Sequence, residues 1–139
     1  MTPDESLRAK REEIVRRHMQ AENEHDFDAV IATFAHPRYE LVATEQTHDG
    51  ETAVREYFRV SRTAFPDQRN ELISLRHADD AVIVELWLLG THRGPLGGLA
   101  PTGRAFKSRM AAFFVFEGAC LVCERVYFDP GSILRQLTS

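Results

Sequence analysis

Two ionisable side chains stand where strand patterns give way to loops, and both could carry acid–base chemistry. Asp129 follows the apolar run at 126–128. A carboxyl group beside apolar walls loses solvation, which raises its pKa towards the range of a general acid or base. His92 stands at the mouth of a glycine- and proline-rich segment, where an imidazole could orient a carbonyl or shuttle a proton. We predict Asp129 and His92 as the catalytic pair; the structural alternatives are a helix N-cap for Asp129 and a loop-bracing role for His92.

Polar and aromatic side chains on the strands could complete a binding site. A tyrosine hydroxyl can donate a hydrogen bond to an oxyanion, and a tryptophan can form the wall of an aromatic pocket. Arg109 could pair with Glu85, or it could face Asp129 across a hairpin whose register the sequence leaves open. Alternatively, Glu85 and Trp87 could lie on the outward face of the sheet, at a dimer interface. The predicted substrate-binding residues are Tyr39, Tyr57, Glu85, Trp87, Arg109, Phe113 and Tyr127.

The elements that must position these residues alternate between helical and extended patterns. Apolar residues recur at helical spacing in three N-terminal segments, and long strand patterns fill most of the second half of the chain. The helices are predicted at 5–24, from Asp26 to 36, at 51–64 and from Pro130, and the strands at 39–43, 69–77, 81–91, 105–116 and 119–128. A turn is predicted at 48–50 and a broad, kinked connection at 90–104. This order favours an α+β domain with helices on one face of a mostly antiparallel sheet.

Composition limits the class of protein. The 139 residues carry a net charge of −4, with 43% hydrophobic and 27% charged residues, which is typical of one globular domain spanning residues 1–139. The basic residues are dispersed, so a nucleic-acid partner is not expected. No apolar run approaches the roughly 20 residues that cross a bilayer, and no basic-then-apolar leader opens the chain. We therefore expect a cytoplasmic protein without a membrane partner.

The two cysteines, Cys120 and Cys123, invite a metal or redox interpretation that the strand pattern does not favour. Side chains three positions apart on a strand point to opposite faces, so the two thiols diverge. A zinc site would need two further ligands at suitable spacing, and the sequence offers none. We expect buried cysteines, no metal and no cofactor.

Four motifs resemble the SnoaL-like polyketide cyclase family, within the fold group of nuclear transport factor 2, ketosteroid isomerase and limonene epoxide hydrolase. They are Phe-Pro-Asp at 65–67, Gly-Thr-His-x-Gly through Pro-Thr-Gly-Arg at 90–104, Tyr-Phe-Asp at 127–129 and Leu-Arg-Gln-Leu at 134–137. The resemblance implies a cone-shaped curved sheet with N-terminal helices packed on its concave face, enclosing a pocket. It also implies that the aspartate near the end of the last strand, here Asp129, is the general acid and base, that His92 matches the family's Gly-Thr-His, and that the chain forms a homodimer.

Three functions remain open at this point. The first is a cofactor-free lyase, isomerase or cyclase that acts on an apolar, carbonyl-containing, polyketide-like small molecule. The second is a non-catalytic module that binds a small ligand or forms a dimeric interaction surface. The third is water addition of the epoxide-hydrolase kind, which requires Arg109 to lie between two carboxylates in the pocket.

Overall fold

The computed structural model describes residues 2–139. The elements follow the predicted order, with one additional strand. The helices are α1 (Pro3–Glu24), α2 (Phe27–Ala32), α3 (Glu51–Ala64) and α4 (Pro130–Thr138), and the strands are β1 (Arg38–Leu41), β2 (Gln46–Asp49), β3 (Arg69–His77), β4 (Ala81–Thr91), β5 (Ala105–Glu117) and β6 (Cys120–Tyr127). None of the helices in this described range combines the length and apolar character needed to cross a membrane.

Helix α1 begins at a well-formed N-terminal cap, and the stripe of side chains that it buries includes a histidine. The Thr2 hydroxyl accepts a hydrogen bond from the Glu5 amide at 3.1 Å, and Pro3 occupies the first turn, where its missing N–H costs nothing. Its buried stripe follows helical spacing and includes Val15, His18 and Met19. A histidine with no exposed surface in this stripe needs buried partners.

One six-stranded sheet, in the order β2-β1-β6-β5-β4-β3, forms the other layer. All neighbouring strands are antiparallel except β1 and β6, which are parallel. The prediction of an α+β fold with a curved, mostly antiparallel sheet is therefore confirmed. Side chains of alternating residues on β4 and β5 enter the core, including Val84, Leu86, Ala112 and Phe114. Their neighbours along each strand point to the opposite, outer face of the sheet.

A bulge in β6 decides which of its side chains face the helices. Val115 pairs with Cys123 and Phe116 pairs with Leu121, so Val122 is an extra residue on β6. The bulge reverses the alternation, and both Leu121 and Glu124 are buried although they are three positions apart. Glu124 thereby joins the inner face of the sheet.

The glycine-rich connection, residues 92–104, packs against the C-terminal end of α3. The amides of Arg93 and Gly94 donate to the Ala64 carbonyl at 3.0 and 3.2 Å. A side chain on Gly94 would collide with the backbone of Thr63, so only glycine permits this approach. The predicted kinked connection is present, and it fixes the end of α3 beside the sheet.

Helix α4 is attached to β5 by an unusual polar clamp. The Gln136 side-chain amide accepts from the Lys107 N–H at 2.9 Å and donates to the Lys107 carbonyl at 3.1 Å. Strand β6 pairs with β5 only from Ala111 onwards, so this amide occupies a place that a longer strand would take. Ile133 and Leu137 pack beside Phe106 in a second apolar cluster.

Three predictions about local structure are corrected. His48 and Asp49 were expected in a turn but lie in the short edge strand β2, which pairs with β1 through Tyr39↔His48. Cys123 is buried as expected, whereas Cys120 is exposed near the turn between β5 and β6. The predicted divergence of the two thiols is also wrong: the extra residue Val122 places Cys120 opposite Glu117 and Cys123 opposite Val115, which lie on the same face of β5.

Candidate functional site

A cavity of about 580 Å³ lies between the concave face of the sheet and helices α1, α3 and α4. This volume is within the range of small-molecule sites. Its lining is mainly apolar, and exposed residues of α3, α4 and the β1–β2 turn border its opening. The apolar lining includes Met19, Leu41, Phe65, Leu86, Leu88, Leu96, Phe106, Met110, Phe114, Val126, Phe128 and Ile133.

Two largely buried carboxylates line this cavity, one from the helix layer and one from the sheet, and a fully buried histidine contacts both. Glu22 comes from the last turn of α1, and Glu124 from the middle of β6. His18, one turn before Glu22, places Nε2 at 2.7 Å from Glu124 Oε1 and at 3.4 Å from Glu22 Oε1. The Tyr39 hydroxyl donates to Glu22 Oε2 and lies 3.1 Å from His18 Nε2. We call His18, Glu22, Tyr39 and Glu124 the carboxylate–histidine cluster.

Thr33 fixes the orientation of the His18 ring. Its hydroxyl donates to the Val30 carbonyl at 2.6 Å, and its oxygen lies 2.8 Å from His18 Nδ1. Because the hydroxyl proton is already used, the oxygen accepts from Nδ1–H. Phe34 and Phe114 meet the ring edge-on, at 5.3 and 5.1 Å between centroids. The Nε2 edge therefore faces the two carboxylates.

The cluster stabilises a charged histidine. Burial alone would lower the pKa of His18, but the charges and hydrogen bonds of Glu22 and Glu124 outweigh this effect and raise the pKa to about 10. Burial works against ionisation of Glu22 as well, yet the positive charge of His18 lowers the pKa of that carboxyl overall. At neutral pH, His18 and Glu22 thus form an ion pair.

Glu124 differs from Glu22. Burial and the negative charge of Glu22 raise the pKa of the Glu124 carboxyl to about 7, despite the opposing effect of His18. Its side chain is 8% exposed, and its Oε1 lies 2.7 Å from His18 Nε2. A carboxyl that titrates near neutral pH and borders a cavity can both take up and release a proton.

The same three side chains could offer donor atoms to a metal ion. His18, Glu22 and Glu124 bring one ligand atom each to within 4.8 Å of one another. A divalent ion would have to displace the proton from His18 Nε2 and separate that atom from Glu124, which now lies 2.7 Å away. The geometry therefore fits a hydrogen-bonded ion pair better than a ligand set.

A second polar group lines the wall formed by β2 and α3. Tyr57 stacks on His48 with 4.7 Å between ring centroids, and both face the cavity. Burial lowers the pKa of His48 and raises the pKa of Tyr57, so both are neutral at pH 7. His48 Nε2 is buried without a hydrogen-bond partner among the described residues. Arg62, one helical turn and a half beyond Tyr57, borders the same cavity.

Asp129 lies outside this arrangement. Its side chain is 64% exposed and lies 3.6 Å from Arg135 Nη2. The expected desolvation of Asp129 is therefore wrong: β6 ends at Tyr127, and Asp129 lies beyond the sheet, directly before α4. Asp129 occupies the N-cap position of α4, although its side chain makes no capping hydrogen bond. Its catalytic role stays a prediction that this placement does not support.

His92 is fully buried, but it does not line the cavity. Thr102 N–H donates to His92 Nδ1 at 3.1 Å, and the His92 backbone bonds to Arg104 and Gly103. These contacts join the two ends of the glycine-rich connection. They favour the loop-bracing alternative, and they do not bring His92 to Asp129.

The other predicted binding residues lie on both sides of the sheet. On the helix side, Tyr57 of α3 meets Tyr39 of the carboxylate–histidine cluster, with 5.2 Å between ring centroids. Arg109 pairs with Glu85 at 2.8 Å, as one alternative expected, on the outer face. Water addition through Arg109 is thereby contradicted, because Arg109 does not border the cavity. Also on the outer face, away from the cavity, are Trp87, Phe113 and Tyr127.

Sequence reasoning missed the residues that do meet at the cavity. His18 and Glu22 are four positions apart on the apolar stripe of α1, which was the available signal. On β6, Glu124 and Val126 are two positions apart and therefore lie on the same face of the strand, which was the corresponding signal. Neither pattern shows that an N-terminal helix and the last strand face each other.

Comparison with known proteins agrees with this architecture. The model of the family described as SnoaL-like polyketide cyclase matches residues 12–137. Among solved structures, the chain is similar to a provisional SnoaL-like polyketide cyclase from Jannaschia sp. CCS1, with 18% identity, TM-score 0.84 and coverage of 94% of this chain and 93% of that one. IdmH from Streptomyces antibioticus, a provisional polyketide cyclase, gives 20% identity, TM-score 0.79 and coverage of 93% and 99%.

A protein with a ketosteroid isomerase-like fold from Catenulispora acidiphila, crystallised with trimethylamine, gives 20% identity, TM-score 0.77 and coverage of 89% and 91%. At these identities the solved structures share the fold alone. No curated protein sequence matches the chain.

Proposed function

Because this chain belongs to the SnoaL-like polyketide cyclase family, we propose that it is a general acid–base enzyme for an apolar, enolisable carbonyl compound, with Glu124 as the proton-transferring group. The observation that carries the proposal is the Glu124 carboxyl, buried at the cavity wall and 2.7 Å from a fully buried histidine. The family suggests cyclase- or isomerase-type chemistry, and the cluster supplies side chains for it.

The proposed reaction begins with removal of a proton from the carbon next to the substrate carbonyl. The proton passes to the Glu124 carboxylate, and the C–H electron pair becomes the enolate. In a cyclase, the enolate carbon then attacks a second carbonyl of the same molecule, and the resulting alkoxide takes the proton back from Glu124. Atoms balance, since the product is an isomer of the substrate. The cavity holds the two reacting carbons together, which favours the intramolecular step.

In this proposal His18 acts on Glu124 and does not contact the substrate. It has no exposed surface and does not line the cavity, whereas its Nε2–H faces both carboxylates. Its positive charge opposes the rise of the Glu124 pKa caused by burial. We therefore assign His18 and Thr33 as positioning residues, which set the ionisation and the direction of Glu124.

Exchange of carbon-bound protons for deuterium tests the proposal without knowledge of the natural substrate. We expect the protein to accelerate exchange at the α-carbons of 2-tetralone, a small bicyclic ketone, in D₂O near neutral pH. The readout is the loss of the α-proton signals by proton NMR. Asp129→Asn is the discriminating variant: retained exchange supports Glu124, and lost exchange would restore the assignment made from sequence.

A non-catalytic ligand-binding module is the second candidate, and the mainly apolar cavity favours it. In that case 2-tetralone binds, but its α-protons exchange no faster than in buffer containing an unrelated protein. Binding without acceleration would overturn the acid–base proposal.

We also propose a homodimer formed through the outer face of the sheet. Large side chains lie there, including Tyr127 at 42% exposure and the half-buried Trp87 and Phe113. Sedimentation velocity at micromolar concentration is expected to give a dimer, and Trp87→Glu should shift it towards the monomer because the charge would be buried at the interface. A monomeric wild-type protein would contradict this proposal.

A further inference from the structure

Arg62 is a cation on the cavity wall whose hydrogen-bonding capacity is largely unused. Its guanidinium stacks on Phe27 and Phe58, 5.2 and 5.4 Å from the ring centroids. Nη1 donates to the Ser61 hydroxyl at 2.8 Å, while Nε is buried without a partner among residues 2–139. Two aromatic faces thus hold the plane of the guanidinium before any ligand arrives.

The neighbouring arginines of α3 are satisfied by acids. Arg55 lies 2.7 Å from Asp28, and Arg59 lies 2.6 Å from Glu56. No carboxylate oxygen in the described chain lies within the 4.0 Å ion-pair distance of Arg62. A half-buried guanidinium that touches no carboxylate is costly, because the hydrogen bonds that it loses to water are not replaced. Such a group indicates that an anion comes from outside the protein.

The position of Arg62 relates it to the proton-transferring group. The cavity described above is lined by Arg62 and its neighbour Ser61 as well as by Glu124. The charge of Arg62 favours the ionised forms of both Glu22 and Glu124, although burial still raises the pKa of Glu124 overall, so the guanidinium lies within electrostatic range of the two carboxyls. A ligand oxygen held by Arg62 would therefore lie within the field of the carboxylate–histidine cluster.

We infer that Arg62 is the oxyanion-binding group of this cavity, and that its ligand is a flat apolar ring system carrying one delocalised oxygen anion, either a carboxylate or an enolate. A planar guanidinium matches such an anion through two parallel N–H···O hydrogen bonds. The apolar walls at Leu88, Phe106 and Ile133 would receive the ring system. This inference deepens the proposed function, and it rests on that proposal for the statement that the cavity binds substrate.

A matched pair of probes separates the anion from the ring that carries it. 2-Naphthoate and 2-naphthamide have the same flat bicyclic body, but only the first is a delocalised anion. By isothermal titration calorimetry, we expect wild-type protein to bind 2-naphthoate at least about tenfold more tightly. Arg62→Met keeps the apolar stem and should abolish that preference. Arg62→Lys keeps the charge without the planar fork and should retain a weaker preference.

Arg55→Met is the matched control, because it removes one positive charge from the same helix outside the cavity. It should leave the preference for 2-naphthoate within about twofold of wild type. Three results would overturn the inference: equal binding of the two probes by wild type, a preference that survives Arg62→Met, or no binding of either probe. If Arg62→Met does not fold, the wild-type ratio and Arg62→Lys still decide.

The same titration on Glu124→Gln separates this inference from the proposed function. Arg62 is intact in that variant, so the preference for 2-naphthoate should persist. A preference for the anion without any proton exchange on 2-tetralone would keep the oxyanion site and overturn the acid–base proposal. Proton exchange on 2-tetralone without a preference for 2-naphthoate would keep the acid–base proposal and overturn the oxyanion site.

Discussion

Replacing Glu124 with glutamine is expected to lower the proton-exchange rate by about 10²–10⁴-fold, the usual contribution of a positioned acid or base. The amide has nearly the same shape as the carboxyl but cannot accept a carbon-bound proton. His18 keeps Glu22 as its ion-pair partner, so the variant should still unfold cooperatively. The measurement is exchange on 2-tetralone, with circular dichroism to verify the fold.

The pH dependence of exchange gives a second readout of the same group. The carboxylate form of Glu124 is the base, and its pKa is about 7, so the wild-type rate should rise with pH through about 7. His18 has a pKa of about 10, so the rate should fall again once that charge is lost. The Glu124→Asp variant should keep the rise of the exchange rate with pH, but at a lower rate throughout. The Glu124→Gln variant should show neither the rise nor the fall. A Glu124→Gln variant with wild-type exchange would remove this residue from the mechanism.

The second large effect concerns stability. His18→Gln is expected to lower the free energy of unfolding by about 3–5 kcal/mol at neutral pH, because it leaves two buried carboxyls without their cation. Chemical denaturation measures this difference. His77→Gln is the matched control, since His77 pairs with Glu12 at 3.1 Å but Glu12 is 37% exposed. Loss of such a contact near the surface should cost at most about 1 kcal/mol.

The sign of the pH effect follows from the raised pKa of His18. The folded protein binds this proton up to about pH 10, whereas an unfolded histidine loses it near its ordinary value of 6.5. The contribution of His18 is therefore complete below about 6.5 and is lost as pH rises towards 10. Wild-type stability should fall across that window more steeply than the stability of His18→Gln. Parallel curves would show that His18 is not charged in the folded protein.

Much of the fold could be predicted because its signals are local. The strands at 69–77 and 81–91 begin and end where their patterns indicate. The alternation on β4 and β5 separates two sets of side chains but does not show which set faces inward, because both sets are largely apolar. Glu85, Trp87 and Arg109, predicted at the binding site, therefore lie on the outer face. Strand β2 was missed because its four residues are polar, partly exposed and at the sheet edge. Such a strand depends on its pairing with β1 and leaves no apolar pattern of its own.

The site was harder to predict because its members meet through distant contacts. His18 and Glu124 are separated by more than one hundred positions, and only the packing of α1 against the sheet brings them together. The bulge at Val122 also determines that Glu124 faces inward, and register of this kind is set by the pairing partner. Asp129 has a carboxyl group that could act as an acid or base, but it lies beyond the end of β6 at Tyr127 and is exposed to solvent.

The clamp between Gln136 and Lys107 has a further consequence for association between chains. The part of β5 before Ala111 has no strand on its β6 side, and the Gln136 amide satisfies the Lys107 N–H and carbonyl there. Unpaired backbone at such an edge can recruit a strand from another molecule. A single side chain near the end of the chain thus protects this border of the sheet from self-templated aggregation, and it does so while holding the helix that closes one side of the cavity.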